Sequence, residues 1–262
     1  MATVNDILQL IETLAPRSMK ENWDNVGLNV GRRDKEVKKV LVALDPFSHV
    51  CREAAEWGAD LLVTHHALIW KPGFVTDESA WGRNALYLIE NGIAAINAHT
   101  NLDQAPGGVN DVLARTLGLE SIQVINACGV DESGNPWGLL RWGHVDEQAL
   151  PAFLAHVKAT LGCAGLRYAD GGKPVRKVAV GGGSCAGAML EALAAGCDTF
   201  VTADVKYNQF WDAQDLGLNL VDAGHFYTEN QVVSYLAAAI GLAFPDVEVK
   251  ISEKHEDCMK FY

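Results

Sequence analysis

The sequence predicts an α/β protein made of two similar α/β domains, an internal duplication. Three observations lead to this reading. Short buried strand patterns alternate with helix patterns over short connections, the grammar of a parallel sheet covered by helices. The pattern then recurs. Lys38-Lys39-Val40-Leu41-Val42 resembles Arg176-Lys177-Val178-Ala179-Val180, and Gly58-Ala59-Asp60-Leu61-Leu62-Val63-Thr64 resembles Gly196-Cys197-Asp198-Thr199-Phe200-Val201-Thr202. Both pairs lie at the same offset of 138 residues (38 to 176, 58 to 196), which favours duplication over chance. Finally, Asp45, His65, His66, His99 and Asp103 follow the ends of successive strands, and ligands of open α/β sheets gather beyond those carboxyl ends.

Composition bounds the function. The chain has 262 residues, 49% hydrophobic and 21% charged, as expected of a packed protein of one large or two ordinary domains. Its formal charge of -12, from 33 acidic and 21 basic residues with no Lys or Arg run, argues against sequence-independent nucleic-acid binding. Bound divalent cations would still allow a small anionic substrate. Six cysteines without a C-x-x-C pair read as reduced thiols of a cytoplasmic protein rather than a thiolate zinc site. No apolar run approaches the ~20 residues that span a bilayer.

In chain order, Val4, Ile7, Leu8, Ile11 and Leu14 have helical spacing, with Thr3 as the cap. Trp23-Asp24-Asn25-Val26-Gly27-Leu28 reads as a turn entering a strand. Val40–Leu44 is a strand stopped by Asp45-Pro46, and Ser48 caps a helix that Gly58 ends. Leu61–Val63 is a buried strand running straight into His65-His66. Adjacent residues on a strand point to opposite faces, so on a turn beyond it the two imidazoles can diverge toward two neighbouring points. That suits two metal ions better than one. A helix over 81–90 and a strand over 93–98 then deliver His99, Asn101 and Asp103. The domains are expected at 1–127 and 128–262, joined near the turn-rich Asp131-Glu132-Ser133-Gly134-Asn135-Pro136, with the segment from about 225 able to pack back on the first. The second opens with a strand over 138–142, a helix over 147–161 and a strand over 166–169.

Two further stretches bear on chemistry. In Asp222-Ala223-Gly224-His225-Phe226-Tyr227-Thr228-Glu229-Asn230-Gln231, Thr228 and Gln231 make a capping-box pattern, which puts His225 before a helix and Glu229 in its first turn. His225 holds the same strand-end position as His99. Gly181-Gly182-Gly183-Ser184 imitates a phosphate loop, with Asp204 at the distance of a ribose-binding acid. Glycine runs at strand-to-helix turns are usually only tight turns, so no dinucleotide-binding residues are assigned. Asp204 to Tyr207 can contact substrate or cap a helix.

The combination of Thr64-His65-His66, Ala98-His99-Thr100-Asn101-Leu102-Asp103 and Asp222-Ala223-Gly224-His225 with Glu229 resembles the dinuclear-metal YbgI-type family, the GTP cyclohydrolase I type 2 homologues. The resemblance extends to Trp23–Leu28 and Thr202-Ala203-Asp204-Val205-Lys206-Tyr207. It implies that His65, His66, Asp103, His225 and Glu229 are metal ligands, with a carboxylate bridging two divalent ions, iron first and zinc, manganese or magnesium as alternatives. It also implies that the two α/β domains face each other across a metal site, and that the chain assembles as a toroidal homohexamer. The long insertion of some members is missing here, Ala67 stands where many have Pro, and Asn208 stands where many have His, which removes a possible proton-transfer group.

Together these readings point to metal-assisted hydrolysis of a nucleotide or related small molecule, with His99 as acid/base or as support for the ligands. The alternative is a metal-storage, metal-delivery or interaction protein without turnover.

Overall fold

The computed structural model describes residues 1–71 and 73–260. Its strands are β1 (Gly27–Val30), β2 (Lys39–Ala43), β3 (Leu61–Thr64), β4 (Ala94–Asn97), β5 (Glu120–Ile125), β6 (Gly129–Val130), β7 (Pro136–Trp137), β8 (Leu140–Gln148), β9 (Arg167–Ala169), β10 (Val175–Val180), β11 (Thr199–Thr202), β12 (Asn219–Asp222) and β13 (Glu248–Ile251). Its α-helices are α1 (Val4–Leu14), α2 (Ser48–Trp57), α3 (Ala80–Glu90), α4 (Thr100–Gln104), α5 (Val109–Thr116), α6 (Leu150–Leu161), α7 (Met189–Ala194), α8 (Tyr207–Asp215), α9 (His225–Glu229) and α10 (Gln231–Ala243). They form two compact units, Met1–Ala105 with Val232–Glu256, and Pro106–Gln231 with the segment from Asp257. These limits differ from a division near Cys128. The chain returns to the first unit with α10, and strand β13 then lengthens that unit's sheet by pairing in parallel with β2.

In the first unit the sheet order is β1-β4-β3-β2-β13, parallel except for β1. Strands β3 and β4 are buried at every position, as expected where helices cover both faces of a parallel sheet. Val50, Cys51 and Ala54 of α2 pack with Ala85 and Leu88 of α3 over Leu41 and Leu62. Gly58 ends α2 with φ 73, a left-handed conformation that a side chain resists. Thr3 caps α1 in a reciprocal box with Asp6. Ser48 does not cap α2. Phe47 holds the cap position, and the Ser48 hydroxyl instead donates to Asn84 Oδ1 on α3 at 3.0 Å. The register Ala43↔Thr64↔Asn97 ends three neighbouring strands level with one another. Asp45, His65-His66 and His99 therefore leave one edge of the sheet together.

The second unit has the sheet order β5-β8-β10-β11-β12-β9, with β10, β11 and β12 parallel. Strands β6 and β7 make a separate hairpin around the 131–136 turn. Strand β8 runs beyond the 138–142 expected of it because it pairs along its length with both β5 and β10. Phe153 and Val157 of α6 pack on Val178, Val180, Val201 and Val221. One local device is common to both units. Asp60 Oδ2 accepts the amides of Lys38 and Lys39, and Asp198 Oδ2 accepts those of Arg176 and Lys177, each tying the start of one strand to the turn before the next.

Two buried charges hold the periphery in place. Arg141, 1% exposed, pairs with Asp111 at 2.9 Å and donates to the Gly138 carbonyl. Glu53 of α2 accepts the Ser252 hydroxyl and the amides of Glu253 and Lys254, and pairs with Lys250 at 3.2 Å. Burial would raise the Glu53 carboxyl, but those donors more than reverse it, so its pKa lies below the ordinary value. A carboxylate depressed in this way adds stability above its unfolded pKa and loses it as pH falls through the folded value. Glu53→Gln should therefore unfold more readily than the parent at neutral pH, with the gap closing below about pH 4 in pH-stepped urea unfolding. Arg141→Met should cost about 3 kcal/mol by leaving the half-buried Asp111 carboxylate beside an apolar chain, and adding Asp111→Asn should recover part of that loss in the same assay.

Candidate metal centre

The first unit assembles three imidazoles. His65 and His66 follow β3 on a turn, as the sequence predicts, with ring centroids 4.9 Å apart. His99 follows β4, its ring 5.2 Å from that of His65 and 5.6 Å from that of His66. One ring nitrogen from each of the three lies within 4.8 Å of the others, so the group can hold a metal ion.

Each ring is oriented from behind. His65 Nδ1 lies 2.8 Å from the Ala98 carbonyl, His66 Nδ1 2.7 Å from Asp45 Oδ1, and His99 Nδ1 3.0 Å from Asp24 Oδ2. Carbonyls and ionised carboxylates only accept, so Nδ1 carries hydrogen in each case and Nε2 is the ligand-type nitrogen. Asp24 is itself buried. Burial alone would raise its carboxyl, but hydrogen bonds from His99 and from the Thr100 hydroxyl and amide outweigh that and lower it to about 2. Asp103, on the short helix α4, places Oδ1 3.5 Å from His65 Nε2. Two electron-pair donors facing each other repel unless a proton or a metal cation lies between them.

The second unit carries the same arrangement in smaller form. Helix α9 begins at His225, after Gly224 with φ 85, and ends at Glu229. His225 Nδ1 lies 2.8 Å from Asp204 Oδ2, and His225 Nε2 lies 3.0 Å from Glu229 Oε2. Asp204 adopts φ 52, a left-handed backbone unusual outside glycine, at the strand end where its carboxylate meets the ring. Gly183, at φ 61, explains part of the glycine run. A Cβ there would sit 2.0 Å from Glu229 Oε1 and 3.0 Å from His225 Nε2, so a side chain would displace both.

Several expectations change here. Thr228 does not cap α10. It lies inside α9, its hydroxyl donating to a carbonyl of the preceding turn and accepting the Gly183 amide at 3.0 Å. Glu229 ends α9 and does not open the longer helix. The Gly181 amide donates to the Val201 carbonyl and the Gly182 amide to Asn110 Oδ1, so the glycine run spends on the fold the donors a phosphate would need. Asp204 orients His225, and Asn208 is exposed on α8. Asp24 was legible only as part of a turn, and Asp45 only as a strand-end acid among the gathered ligand-type residues, because nothing local in sequence pairs either with a particular histidine. Burial raises Cys51 to about 12 and Cys197 to about 11, and among the described residues the donor groups contain no cysteine.

The donor set is thus imidazole and carboxylate, with ligand nitrogens oriented by anchored Nδ1 atoms, and it fits divalent metal ions of the iron, zinc or manganese type. The comparisons agree with the fold. A relative from Clostridium perfringens named GTP cyclohydrolase 1 type 2 homolog is 35% identical over 98% of this chain and 99% of its own length. Another of that name, from Streptomyces coelicolor, is 37% identical over 87% of this chain and 82% of its own. The crystal structure of a Bacillus cereus protein related to NIF3 superposes with a TM-score of 0.92 at 26% identity, covering 100% of this chain and 99% of that one. The model of the Duf34/NIF3 (NGG1p interacting factor 3) family matches residues 2–258, and the chain belongs to that family.

Proposed function

We propose that this protein is a di-metal hydrolase acting on a nucleotide or related small molecule, with a centre made by His65, His66, Asp103, His225 and Glu229. The observation that carries the reading is the anchoring of four imidazoles through Nδ1, which the fold maintains with Asp45, the Ala98 carbonyl, Asp24 and Asp204. Surface histidines need no such support, whereas metal-bound histidines have it almost always. We infer that the two units arose by duplication, which the shared 138-residue offset and the paired roles of Asp60 and Asp198 support.

Bound divalent ions would supply Lewis acidity and bring water near its deprotonated form at neutral pH. The chain's own contribution is orientation and proton handling. His99 Nε2 takes or gives a proton at the substrate, while Asp24, ionised down to about pH 2, stabilises the imidazolium through Nδ1. Asp103 and Glu229 would contribute negative charge that offsets bound ions. Iron is the first choice of metal by family resemblance, and the mixed donor set accommodates it. The name the relatives carry points to a purine nucleotide as substrate, and we place the protein in the cytoplasm as a homohexamer by family resemblance.

His65→Ala and His225→Ala should each reduce the metal retained per chain, read by elemental analysis after gel filtration. Full retention in either variant would remove that residue from the centre. Asp204→Ala should weaken metal affinity about 10- to 100-fold with little change in helicity, because it removes only the anchor of His225. For function, the metal-loaded protein should hydrolyse at least one member of a purine nucleotide panel. Full loading with no turnover on any would favour storage or delivery of metal instead.

A further inference from the structure

Two tryptophans beside His99 are left without a role by the metal centre. Trp23 is 61% exposed and Trp70 46% exposed, unusual for such large side chains next to a buried polar cluster. Both meet the same imidazole edge to face. Trp70 lies 4.8 Å from His99 at 86° between ring planes, and Trp23 lies 6.0 Å away at 69°. Trp70 also reaches the His66 ring at 6.2 Å, tilted by 35°.

The loops bearing them are fastened to each other. Asn25 Nδ2 donates to the Ile69 carbonyl at 2.6 Å, and the Ile69 amide donates to Asn29 Oδ1 at 3.1 Å. Asn29 in turn donates to Asn97 Oδ1 at the end of β4. Loops fastened this way lose little further freedom on binding, so the two indoles are carried on a pre-organised frame. Their surroundings are imidazoles, amides and a carboxylate, whereas the centre of a protein–protein contact is usually apolar and depleted of charge.

We propose that Trp23 and Trp70 form a stacking platform for the planar ring of a nitrogen heterocycle, holding it beside His99. The proposal rests on the reading of the neighbouring histidines as a metal centre and names the part of the substrate that reaches it. Indole faces stack on any heteroaromatic ring, and such contacts tolerate differences between bases. The ring edge would lie in reach of His99 Nε2, while the rest of the substrate projects over His65 and His66.

The test uses the full-length, metal-loaded protein and follows tryptophan fluorescence during titration with guanosine, with inorganic triphosphate as a base-free control. Guanosine should quench saturably and triphosphate should not. Trp23→Ala and Trp70→Ala should each weaken guanosine about tenfold with metal content unchanged, and Trp→Phe at either position should restore most of the affinity. Absence of saturable guanosine quenching, or unchanged affinity in both alanine variants, overturns the platform. So does a change in oligomeric mass by light scattering with guanosine affinity intact, which would mark an interface between copies. Loss of metal binding in the parent would instead defeat the metal-centre reading, and the guanosine titration would still decide the platform.

Discussion

The constraint on which the candidate site depends is the hydrogen on Nδ1. A neutral imidazole offers a metal only its unprotonated nitrogen, and in solution the tautomers exchange freely. Here Nδ1 of His65, His66, His99 and His225 each meets a group that can only accept. The Nε2 lone pairs are therefore set by the fold before any ion arrives. Level strand ends make this possible. Because β2, β3 and β4 stop in register, an Asp from one strand end and a His from the next stand a hydrogen bond apart.

The anchors differ in kind, and so does their expected sensitivity. His65 relies on a backbone carbonyl that no substitution removes. His66, His99 and His225 rely on Asp45, Asp24 and Asp204. Of these, Asp24 is the most deeply committed, since it also receives the hydroxyl and amide of Thr100 and so fixes the start of α4, the helix that carries Asp103. One buried carboxylate thus positions both a histidine and an acidic ligand candidate. Asp204 sits at the other extreme. It is 43% exposed at its side chain and held in a left-handed backbone. Its anchoring is therefore paid in local strain rather than in burial.

Much of this was legible in the sequence, and the remainder was hidden for a definite reason. Strand positions, the Thr3 cap, the Gly58 stop and the gathering of His65, His66, His99 and Asp103 follow from periodicity and turn chemistry, which are local signals. The anchoring roles of Asp24 and Asp204 are not local. Asp24 meets a residue 75 positions away and Asp204 one 21 positions away, and in sequence each looks like an ordinary turn residue. Thr228 misled for the opposite reason. Its spacing to Gln231 copies a cap motif, but α9 ends and α10 begins between them, and a tertiary contact with the Gly183 amide decides where the hydroxyl turns. The segment from about 225 was expected to be able to pack back on the first domain, but its partner was not legible, since β13 pairs with β2 across about two hundred residues of chain that no window of sequence contains.

The glycine run shows how one sequence pattern separates into different physical demands. A phosphate loop needs small residues so that amides can point at a ligand. In this protein the amides of Gly181, Gly182 and Gly183 are all turned inward to Val201, Asn110 and Thr228. What the absence of side chains supplies is clearance, since a Cβ on Gly183 would meet Glu229 and His225 at once. Small residues at a strand end can therefore make room for a histidine–carboxylate pair as well as for an anion, and the partners of the amides distinguish the two cases. Where the amides are consumed, the space above them belongs to side chains, and in this protein those side chains are a histidine and a carboxylate.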